Sequence, residues 1–331
     1  MSVTIIFGLA VGILFGYALQ RGRFCMYTAF RDIYLIRDMT LLKAYVLALL
    51  VQILVVHLLG EFGLITFGNS TFFWLSAMVG GFLFGVGMTL AGGCSSSSFY
   101  RIGEGMVGSF VAVLTFVIFA AATQSGPLQP LALALYAYTV EMGQDSATMA
   151  HAVGLDRWLF ISILVLVGGI WLLWAPASRP ARGWSWETTG LAVGLIAAIA
   201  WIASSYTGRN YGLSMTGPSA ATLRYMTTAD PVHLDWGIFQ LLGMPIGAFL
   251  AASWNKEFKW RAPQPQRIMR QALGGAVMGT AAVIALGCNI GNSLTGMGIL
   301  SLSSFVATLF LILGTWSGTY WFFVRPMRER G

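Results

Sequence analysis

The segment GGFLFGVGMTLAGGC, residues 80–94, aligns without gaps on GGAVMGTAAVIALGC, residues 274–288. The two segments agree at 6 of 15 positions, including the cysteines that close them, Cys94 and Cys288. Matches between glycines and alanines are common in apolar helices, whereas a shared cysteine at the same offset is not. GLAVG at 8–12 also recurs at 190–194. The chain therefore contains an internal repeat, and its fold is predicted from that repeat outward.

The composition of the 331-residue chain assigns it to the membrane. Hydrophobic residues make up 57% and charged residues 9%, whereas soluble proteins carry about 25% charged residues. We therefore predict an all-α integral membrane protein in a lipid bilayer. The net charge of +7 is assigned to residues that flank membrane spans, so no nucleic-acid partner is predicted. The first apolar run, 3–20, lacks a preceding basic stretch and a cleavage site, so no cleavable signal peptide is expected.

About nine apolar stretches are long enough to cross a bilayer as helices. Residues 127–156 contain LALALYAYTV, which is too short to span and is predicted to form an interfacial helix. Of the 19 lysines and arginines, 16 fall on the side of the carboxyl terminus. By the positive-inside rule, the carboxyl terminus is cytoplasmic and the amino terminus lies outside. The nine predicted spans lie near 3–20, 43–61, 73–92, 105–123, 158–175, 188–206, 235–253, 270–287 and 300–323.

The spans form two groups of four on either side of the span at 158–175. We predict a first repeat at 1–126, an interfacial segment with a connecting transmembrane helix at 127–180, and a second repeat at 181–331. Because an odd number of crossings separates corresponding spans, the second repeat is inverted relative to the first, with pseudo-two-fold symmetry. Inverted repeats are typical of transporters, whose site lies at the repeat interface near the bilayer midplane. Cys94 would then approach from the cytoplasmic side and Cys288 from outside.

Two segments, AGGCSSSS at 91–98 and ALGCNIGNS at 285–293, place a thiol and polar groups directly after an apolar span. Irregular backbone at membrane depth is tolerated only where it is buried in protein or lines a polar cavity. A half-helix that begins there points unpaired N–H groups inward, which suits an anion. We therefore predict short re-entrant helices; the alternative is that small residues merely allow close helix packing. The candidate path residues are Gly92, Gly93, Cys94, Ser95, Gly287, Cys288, Asn289 and Asn292.

A third cysteine, Cys25, follows the first span in RGRFCMYTAF, residues 21–30. Its counterpart in the second repeat is YGLSMTG, residues 211–217, in which serine and methionine replace Cys25 and Met26. None of the cysteines belongs to a CxxC pair, so no metal, cofactor or redox pair is predicted. A free cysteine is most often a small buried apolar residue. That reading remains the alternative to a place for Cys25 on the path.

Two arginines, Arg101 and Arg209, are candidates for guiding anions to the path. Arg101 lies three residues before Glu104 near a helix start, so an i,i+3 ion pair is the simpler interpretation. A solvated loop charge is the alternative for Arg209. His57 lies within the second span, where ionisable groups are functional candidates, although a hydrogen-bonded buried histidine is the simpler interpretation.

These residues resemble the YeeE/YedE family of thiosulfate uptake transporters. The resemblance rests on GRFCM around Cys25, GGCSSSSFYRIGEG around Cys94 and GCNIGN around Cys288, and it extends over essentially the whole chain. It implies a non-enzymatic transporter of the bacterial inner membrane, with a narrow path along which thiols relay thiosulfate through weak S–H···S hydrogen bonds. It also implies a cytoplasmic partner, a small SirA-like sulfur-carrier protein. A neutral thiol is a weak, polarizable donor that could hold a soft sulfur loosely enough to release it.

Several alternatives stay open. The run Ser95–Ser98 stands where the family has a glycine, and its hydroxyls would suit another sulfur or selenium anion. Paired inverted half-helices also build selective channels. A membrane enzyme that transfers sulfur through cysteine would need an activated thiolate beside a base or cation, and only Arg23 is close in sequence to a cysteine. The basic loop NKEFKWRAPQPQR, 255–267, could dock an acidic partner, although ordinary positive-inside charge explains it more simply.

Overall fold

The computed structural model describes residues 2–67, 71–140, 147–178 and 183–329. Within these ranges the chain is almost wholly helical, with isolated β-bridges in place of sheets. The first half contains α1 (Ser2–Arg21), α2 (Met26–Leu35), α3 (Thr40–Glu61), α4 (Trp74–Ala91), α5 (Ser95–Gly103) and α6 (Val107–Ser125). The linking segment contains α7 (Gln129–Tyr136), α8 (Met149–Val153) and α9 (Arg157–Trp174). The second half contains α10 (Trp186–Ser205), α11 (Thr216–Thr228), the 3₁₀ turn Pro231–His233, α12 (Trp236–Trp254), α13 (Pro265–Ile284), the π-helical segment Gly291–Gly296 and α14 (Leu302–Thr319), which continues through Tyr320–Val324 into α15 (Arg325–Arg328).

Eight helical stretches of the described chain are long and apolar enough to cross a bilayer. They match eight of the nine predicted spans. The ninth, α13, has 20 residues and is therefore about 30 Å long, but Gln266, Arg267 and Arg270 make its first turns polar. It begins at Pro265 instead of near residue 270, because proline suits the first turn of a helix. The chain is thus an all-α integral membrane protein, as predicted.

The linking segment contributes one span and two short helices. At 8 and 5 residues, α7 and α8 are too short to cross a bilayer, as predicted for this segment. An interfacial position for α7 stays a prediction. Residues 141–146 of this segment lie outside the described residues. Helix α9 is the most exposed span and presents Leu166, Leu173 and Trp174 outward. In a bilayer this face would contact lipid.

The two halves repeat the same order of helices and the same packing. Each half runs long, short, long, long, short, long. Helix α1 packs against α12 as α10 packs against α3, and α6 packs against α13 as α14 packs against α4. Exchanging the halves therefore converts each of these packed pairs into another packed pair, as a pseudo-two-fold axis requires. The inverted orientation of the two repeats stays a prediction.

The repeated glycines of α4 and α13 make equivalent contacts across this axis. The Cα of Gly80 lies against Ala285, and the Cα of Gly274 lies against Ala91. Ala91 and Ala285 are aligned with each other in the repeated segments. A Cβ atom on either glycine would collide with the backbone of its partner, so small residues are needed for this close approach. The alignment of 80–94 on 274–288 therefore reflects equivalent places in the fold.

Candidate functional site

Each of the three cysteines lies at the beginning of a short helical segment. Cys25 is the N-cap residue of α2, and Cys94 is the N-cap residue of α5. Cys288 directly precedes the helical turn at 289–290 that leads into Gly291–Gly296. All three are free thiols with at most 1% of their surface exposed. The thiols therefore lie in the protein interior, at breaks between long and short helices.

The two cysteine turns are formed differently in the two repeats. Helix α4 ends at Gly92, whose φ of 71° is left-handed, a conformation that glycine adopts without steric cost. The aligned residue in the second repeat is Leu286, which has a φ of 57°. A bulky residue persists there only when its surroundings impose the conformation. Asn292 Nδ2 supplies such a contact, because it donates to the Ala285 carbonyl at 3.0 Å and to the Gly287 carbonyl at 2.8 Å.

Two of the thiols are in direct contact. The Cys25 thiol lies 3.7 Å from Cys94 Sγ and 3.2 Å from Ser97 Oγ. Cys94 Sγ also lies 3.3 Å from Ser96 Oγ. The structure thus joins residues that are 69 positions apart in the chain into one buried cluster of two sulfurs and two hydroxyls. Neutral thiols and hydroxyls are weak to moderate donors, so this cluster can contact an anion without holding it strongly.

The serine run after Cys94 is largely satisfied within the protein. Ser97 and Ser98 donate to the Cys94 carbonyl at 3.0 and 3.1 Å. Ser95 donates to Asn289 Oδ1 at 2.7 Å. Back-bonding of this kind to a carbonyl three or four residues earlier is common for serine in helices. Most of the extra hydroxyls therefore stabilise the turn and its contact with the second repeat.

The third thiol has a separate polar environment. The Gly291 N–H donates to Cys288 Sγ at 3.4 Å, and Tyr211 Oη donates to the Gly291 carbonyl at 2.8 Å. A Cβ atom on Gly291 would lie 3.6 Å from Ser214 Oγ, 3.7 Å from Tyr211 Oη and 3.9 Å from Cys288 Sγ. Two hydroxyls and one thiol therefore surround the same small space. A cavity of about 440 Å³, lined in part by Arg209, Tyr211 and Ser214, adjoins it.

Arg209 lines that cavity with a guanidinium that is only partly paired. Its Nε lies 3.8 Å from Asp235 Oδ2, and its side chain is 22% exposed. Within the described chain, its Nη1 is buried and has no hydrogen-bond partner. Burial lowers the pKa of this guanidinium, and the Asp235 charge opposes that shift. The guanidinium also lies over the Trp236 ring, 5.8 Å from its centroid. A guiding role for Arg209 remains a prediction.

The prediction of an ion pair between Arg101 and Glu104 is wrong. Arg101 Nη1 donates to the Gly92 carbonyl at 3.2 Å, at the turn that carries Cys94. Glu104 accepts from Gln20 Nε2 at 3.2 Å and lies 4.0 Å from Arg23 Nη1. The reason is geometric, since a side chain near the end of a helix points back toward its amino terminus. Arg101 therefore lies beside a cysteine turn, where a guiding role remains a prediction.

His57 lies apart from the contacts described for the thiols. Its ring packs against Phe67 and Trp158, with centroid distances of 5.2 and 6.4 Å. Neither ring nitrogen has a hydrogen-bond partner within the described part of the chain. The expectation of a hydrogen-bonded histidine is therefore wrong, and the aromatic surroundings account for its burial.

Sequence reasoning missed a polar cluster at the predicted cytoplasmic end of α1. Gln20 Nε2 donates to Glu257 Oε2 at 2.9 Å as well as to Glu104. Glu257 also lies 3.1 Å from Arg23 Nη2 and 3.6 Å from Arg21 Nη1. No local pattern could have revealed this cluster, because its members come from three distant segments. In the described residues, no group of three histidines, cysteines or carboxylates could hold a metal ion.

This cluster predicts a pH-dependent contribution to stability. Burial raises the pKa of Glu257, but the Gln20 hydrogen bond and the charges of Arg23 and Arg21 outweigh burial and hold it below its usual range. The contribution is complete above the unfolded-state pKa of about 4.3 and is lost as the pH falls through the lower folded-state pKa. We expect the melting temperature of the purified protein to fall more steeply in that range than that of Glu257→Gln. Parallel curves would contradict this prediction.

Comparison with known proteins places the chain among transport proteins. It is 34% identical over 348 residues to the thiosulfate transporter TsuA of Escherichia coli (strain K12), covering 99% of this chain and 97% of that protein. It is 35% identical over 330 residues to the thiosulfate transporter TsuA of Spirochaeta thermophila, covering 96% of this chain and 99% of that protein. The probable transporter YedE of E. coli is 37% identical over 79 residues, which are 24% of this chain and 20% of that protein.

The relatives are named as transporters, and the protein is accordingly a multi-pass membrane transporter and not an enzyme. The model of the family described as Sulphur transport matches residues 21–317, so the chain belongs to that family.

Proposed function

We propose that this protein takes up thiosulfate through the bacterial inner membrane, along a central path that its cysteine thiols line. The observation that carries the proposal is the contact of 3.7 Å between the buried thiols of Cys25 and Cys94. It occurs in a chain that resembles two named thiosulfate transporters over nearly its full length. The amino terminus would lie outside and the carboxyl terminus in the cytoplasm.

The path begins at the cavity of about 440 Å³ near Arg209. The unpaired Arg209 N–H attracts the dianion, and Tyr211 and Ser214 lead it to Cys288. From there the anion passes the turn of Asn289 and Ser95 and reaches Cys94 and Cys25. Arg101, which lies at the Cys94 turn, provides positive charge near the inner end. The path thus uses charge at its ends and neutral groups in its buried part.

Thiosulfate matches the neutral part of this path because it has two chemically different ends. Its terminal sulfur is soft and accepts a weak S–H···S hydrogen bond, while its oxygens accept from hydroxyl and amide groups. Weak contacts at several sites allow an ion to enter and also to leave. A thiolate would repel the dianion, so the relay requires protonated thiols. Most hydroxyls of Ser95–Ser98 are used inside the protein, so they give no particular support to a more oxygen-rich substrate.

The two repeats would approach this path from opposite sides of the membrane. We assign residues 1–126 and 181–331 to the two inverted repeats and 127–180 to the link between them. Cys94 and Cys288 then occupy corresponding turns that approach the midplane from opposite sides. This matches the general position of sites at the interface of inverted repeats.

A cytoplasmic SirA-like sulfur carrier would receive the anion at the basic loop 255–267. The backbone of this loop is held against the end of α5, since Lys259 N donates to the Glu104 carbonyl and Arg261 N donates to the Gly105 carbonyl. The side chains of Lys256, Lys259 and Arg261 remain exposed, and an acidic surface would complement them. Co-purification of such a carrier with the parent protein, and its loss on Lys259→Glu with Arg261→Glu, would support this partner.

Growth on thiosulfate tests the proposed function. A bacterial strain that lacks its own sulfate and thiosulfate uptake would carry the gene, with thiosulfate as its sole sulfur source. We expect growth with the gene and none with the empty vector. If the well-expressed protein fails to support growth, and its purified form takes up no labelled thiosulfate into proteoliposomes, another substrate has to be sought.

A further inference from the structure

One side-chain amide connects the two cysteine turns. Ser95 Oγ donates to Asn289 Oδ1 at 2.7 Å, and Asn289 Nδ2 donates to Ser96 Oγ at 3.3 Å. The same Nδ2 donates to Met26 Sδ at 3.2 Å. We call Ser95, Ser96 and Asn289 the Asn289 bridge. Because Asn289 directly follows Cys288 and Ser95 directly follows Cys94, the bridge joins the turn of the outer thiol to the turn of the inner pair.

The N–H and O–H donors of Asn289 and Ser95 are all used inside the protein. Asn289 and Ser96 are 0% exposed, and Ser95 is 1% exposed. An amide nitrogen has two hydrogens, and those of Asn289 are directed to Ser96 and Met26. The single hydroxyl hydrogen of Ser95 is directed to Asn289. An anion that binds to these donors therefore has to displace at least one of these hydrogen bonds.

The bridge has the chemistry to accept that exchange. Its hydrogen bonds join neutral groups, whereas hydrogen bonds to an ionised acceptor are about twice as strong. Ser95 and Asn289 can therefore favourably replace their mutual hydrogen bond with hydrogen bonds to the oxygens of the anion. Thiosulfate also leaves a terminal sulfur free for the neighbouring thiols. Sulfate has oxygens at all four corners and offers the thiols no such sulfur.

We propose that the Asn289 bridge is the central gate of the path and the element that recognises the oxygens of the anion. It opens when Ser95 and Asn289 exchange their mutual hydrogen bond for hydrogen bonds to the anion, while Cys288 and Cys94 contact its terminal sulfur. When no anion is present, the same hydrogen bonds hold the two repeats together and close the path to other ions. This inference rests on the proposed thiosulfate transport and adds to it the group that sets selectivity.

The ratio of thiosulfate to sulfate uptake tests the gate. Purified protein in proteoliposomes would be given radiolabelled thiosulfate or sulfate at matched concentrations. Asn289→Ala removes the hydrogen bonds that close the path, so sulfate would pass without the exchange that thiosulfate makes. We expect the ratio of thiosulfate to sulfate uptake to fall about tenfold, the factor that corresponds to roughly one hydrogen bond. The control is Ser162→Ala, which removes an exposed hydroxyl on α9, outside the proposed path and the basic loop, and should keep the parent ratio.

A second substitution, at the same position, tests the N–H donors of Asn289 separately from its acceptor oxygen. Asn289→Asp keeps acceptor oxygens for Ser95 and Ser96 but has no N–H group, and its charge repels a dianion. We expect its thiosulfate uptake to fall to about a tenth of the parent rate or less. If Asn289→Ala does not give monodisperse protein, Ser95→Ala removes one hydrogen bond of the bridge and should also lower the uptake ratio.

A variant ratio equal to that of the parent would overturn the proposal, whether both rates are unchanged or fall together. In that case Asn289 would serve only to hold the repeats together. Failure of the parent protein to take up thiosulfate is a different result, since it overturns the proposed function itself. The parent measurement therefore distinguishes the two failures.

Discussion

Cys94→Ala will lower thiosulfate uptake by about ten- to a hundredfold, the factor expected when a hydrogen bond to a charged ligand is lost. Cys94 Sγ lies between Cys25 Sγ and Ser96 Oγ, so its removal interrupts the buried cluster at its centre. The measurement is uptake of labelled thiosulfate into proteoliposomes, with growth on thiosulfate as a second readout. Uptake equal to that of the parent would contradict the relay and indicate that Cys94 serves only in packing.

Serine variants distinguish a hydrogen-bond relay from sulfur-transfer chemistry. Cys94→Ser keeps an O–H donor near the same place, so we expect it to retain more uptake than Cys94→Ala. A mechanism with a persulfide or disulfide intermediate would lose all activity in both variants. Cys25→Ser is the matched comparison, because it gives the first repeat the serine that the second repeat has at Ser214. Size-exclusion profiles of each variant would show that a lost rate does not come from lost folding.

Gly16→Val will lower the free energy of unfolding by ~3 kcal/mol or more. Gly16 lies where α1 crosses α12, and a Cβ atom there would collide with the carbonyl oxygen of Met244. Overpacking costs about 1–3 kcal/mol when side chains can move aside, and here the obstacle is backbone. A cost of ~3 kcal/mol corresponds to about a hundredfold change in the ratio of folded to unfolded protein. The measurement is the yield of monodisperse protein in detergent and its melting temperature.

Gly169→Val is the matched control for this prediction. Gly169 lies in the exposed helix α9, and no heavy atom lies within 4 Å of a Cβ atom placed there. The same side chain is therefore added without a steric conflict, and we expect near-parental yield and melting temperature. If both variants lose yield and melting temperature equally, valine destabilises any span of this protein. The close crossing of α1 and α12 would then not be the cause.

The sequence allowed individual candidate residues to be selected, but it did not allow the contacts between them to be predicted. Cys25, Cys94 and Cys288 could be selected from sequence because each interrupts an apolar pattern with a thiol and small or polar neighbours. The contact between Cys25 and Cys94 could not be predicted, since it depends on how α2 and α5 begin beside each other. The pairing of Arg101 was predicted wrongly for a related reason. A spacing of three residues permits an ion pair, but the backbone carbonyl of Gly92 was the nearer acceptor.

The class of protein, eight of its nine predicted spans and its internal repeat follow from local patterns in the chain. A bilayer accepts only long apolar segments with satisfied backbone groups, so composition and length suffice to predict helices across it. The aligned segments 80–94 and 274–288 determined the symmetry, because equivalent packing at Gly80 and Gly274 requires the same small residue. These properties depend on local patterns and can be read along the chain.

The pairing of distant polar groups depends on the three-dimensional packing of the helices. Ser95 and Asn289 are 194 residues apart and Gln20 and Glu257 are 237 apart, yet each pair is joined by a hydrogen bond. Such contacts depend on the crossing positions of several helices at once, which no spacing within one segment encodes. The places where the thiols interrupt the helices are therefore visible in the sequence, whereas helix packing joins the two cysteine turns through an amide and two hydroxyls.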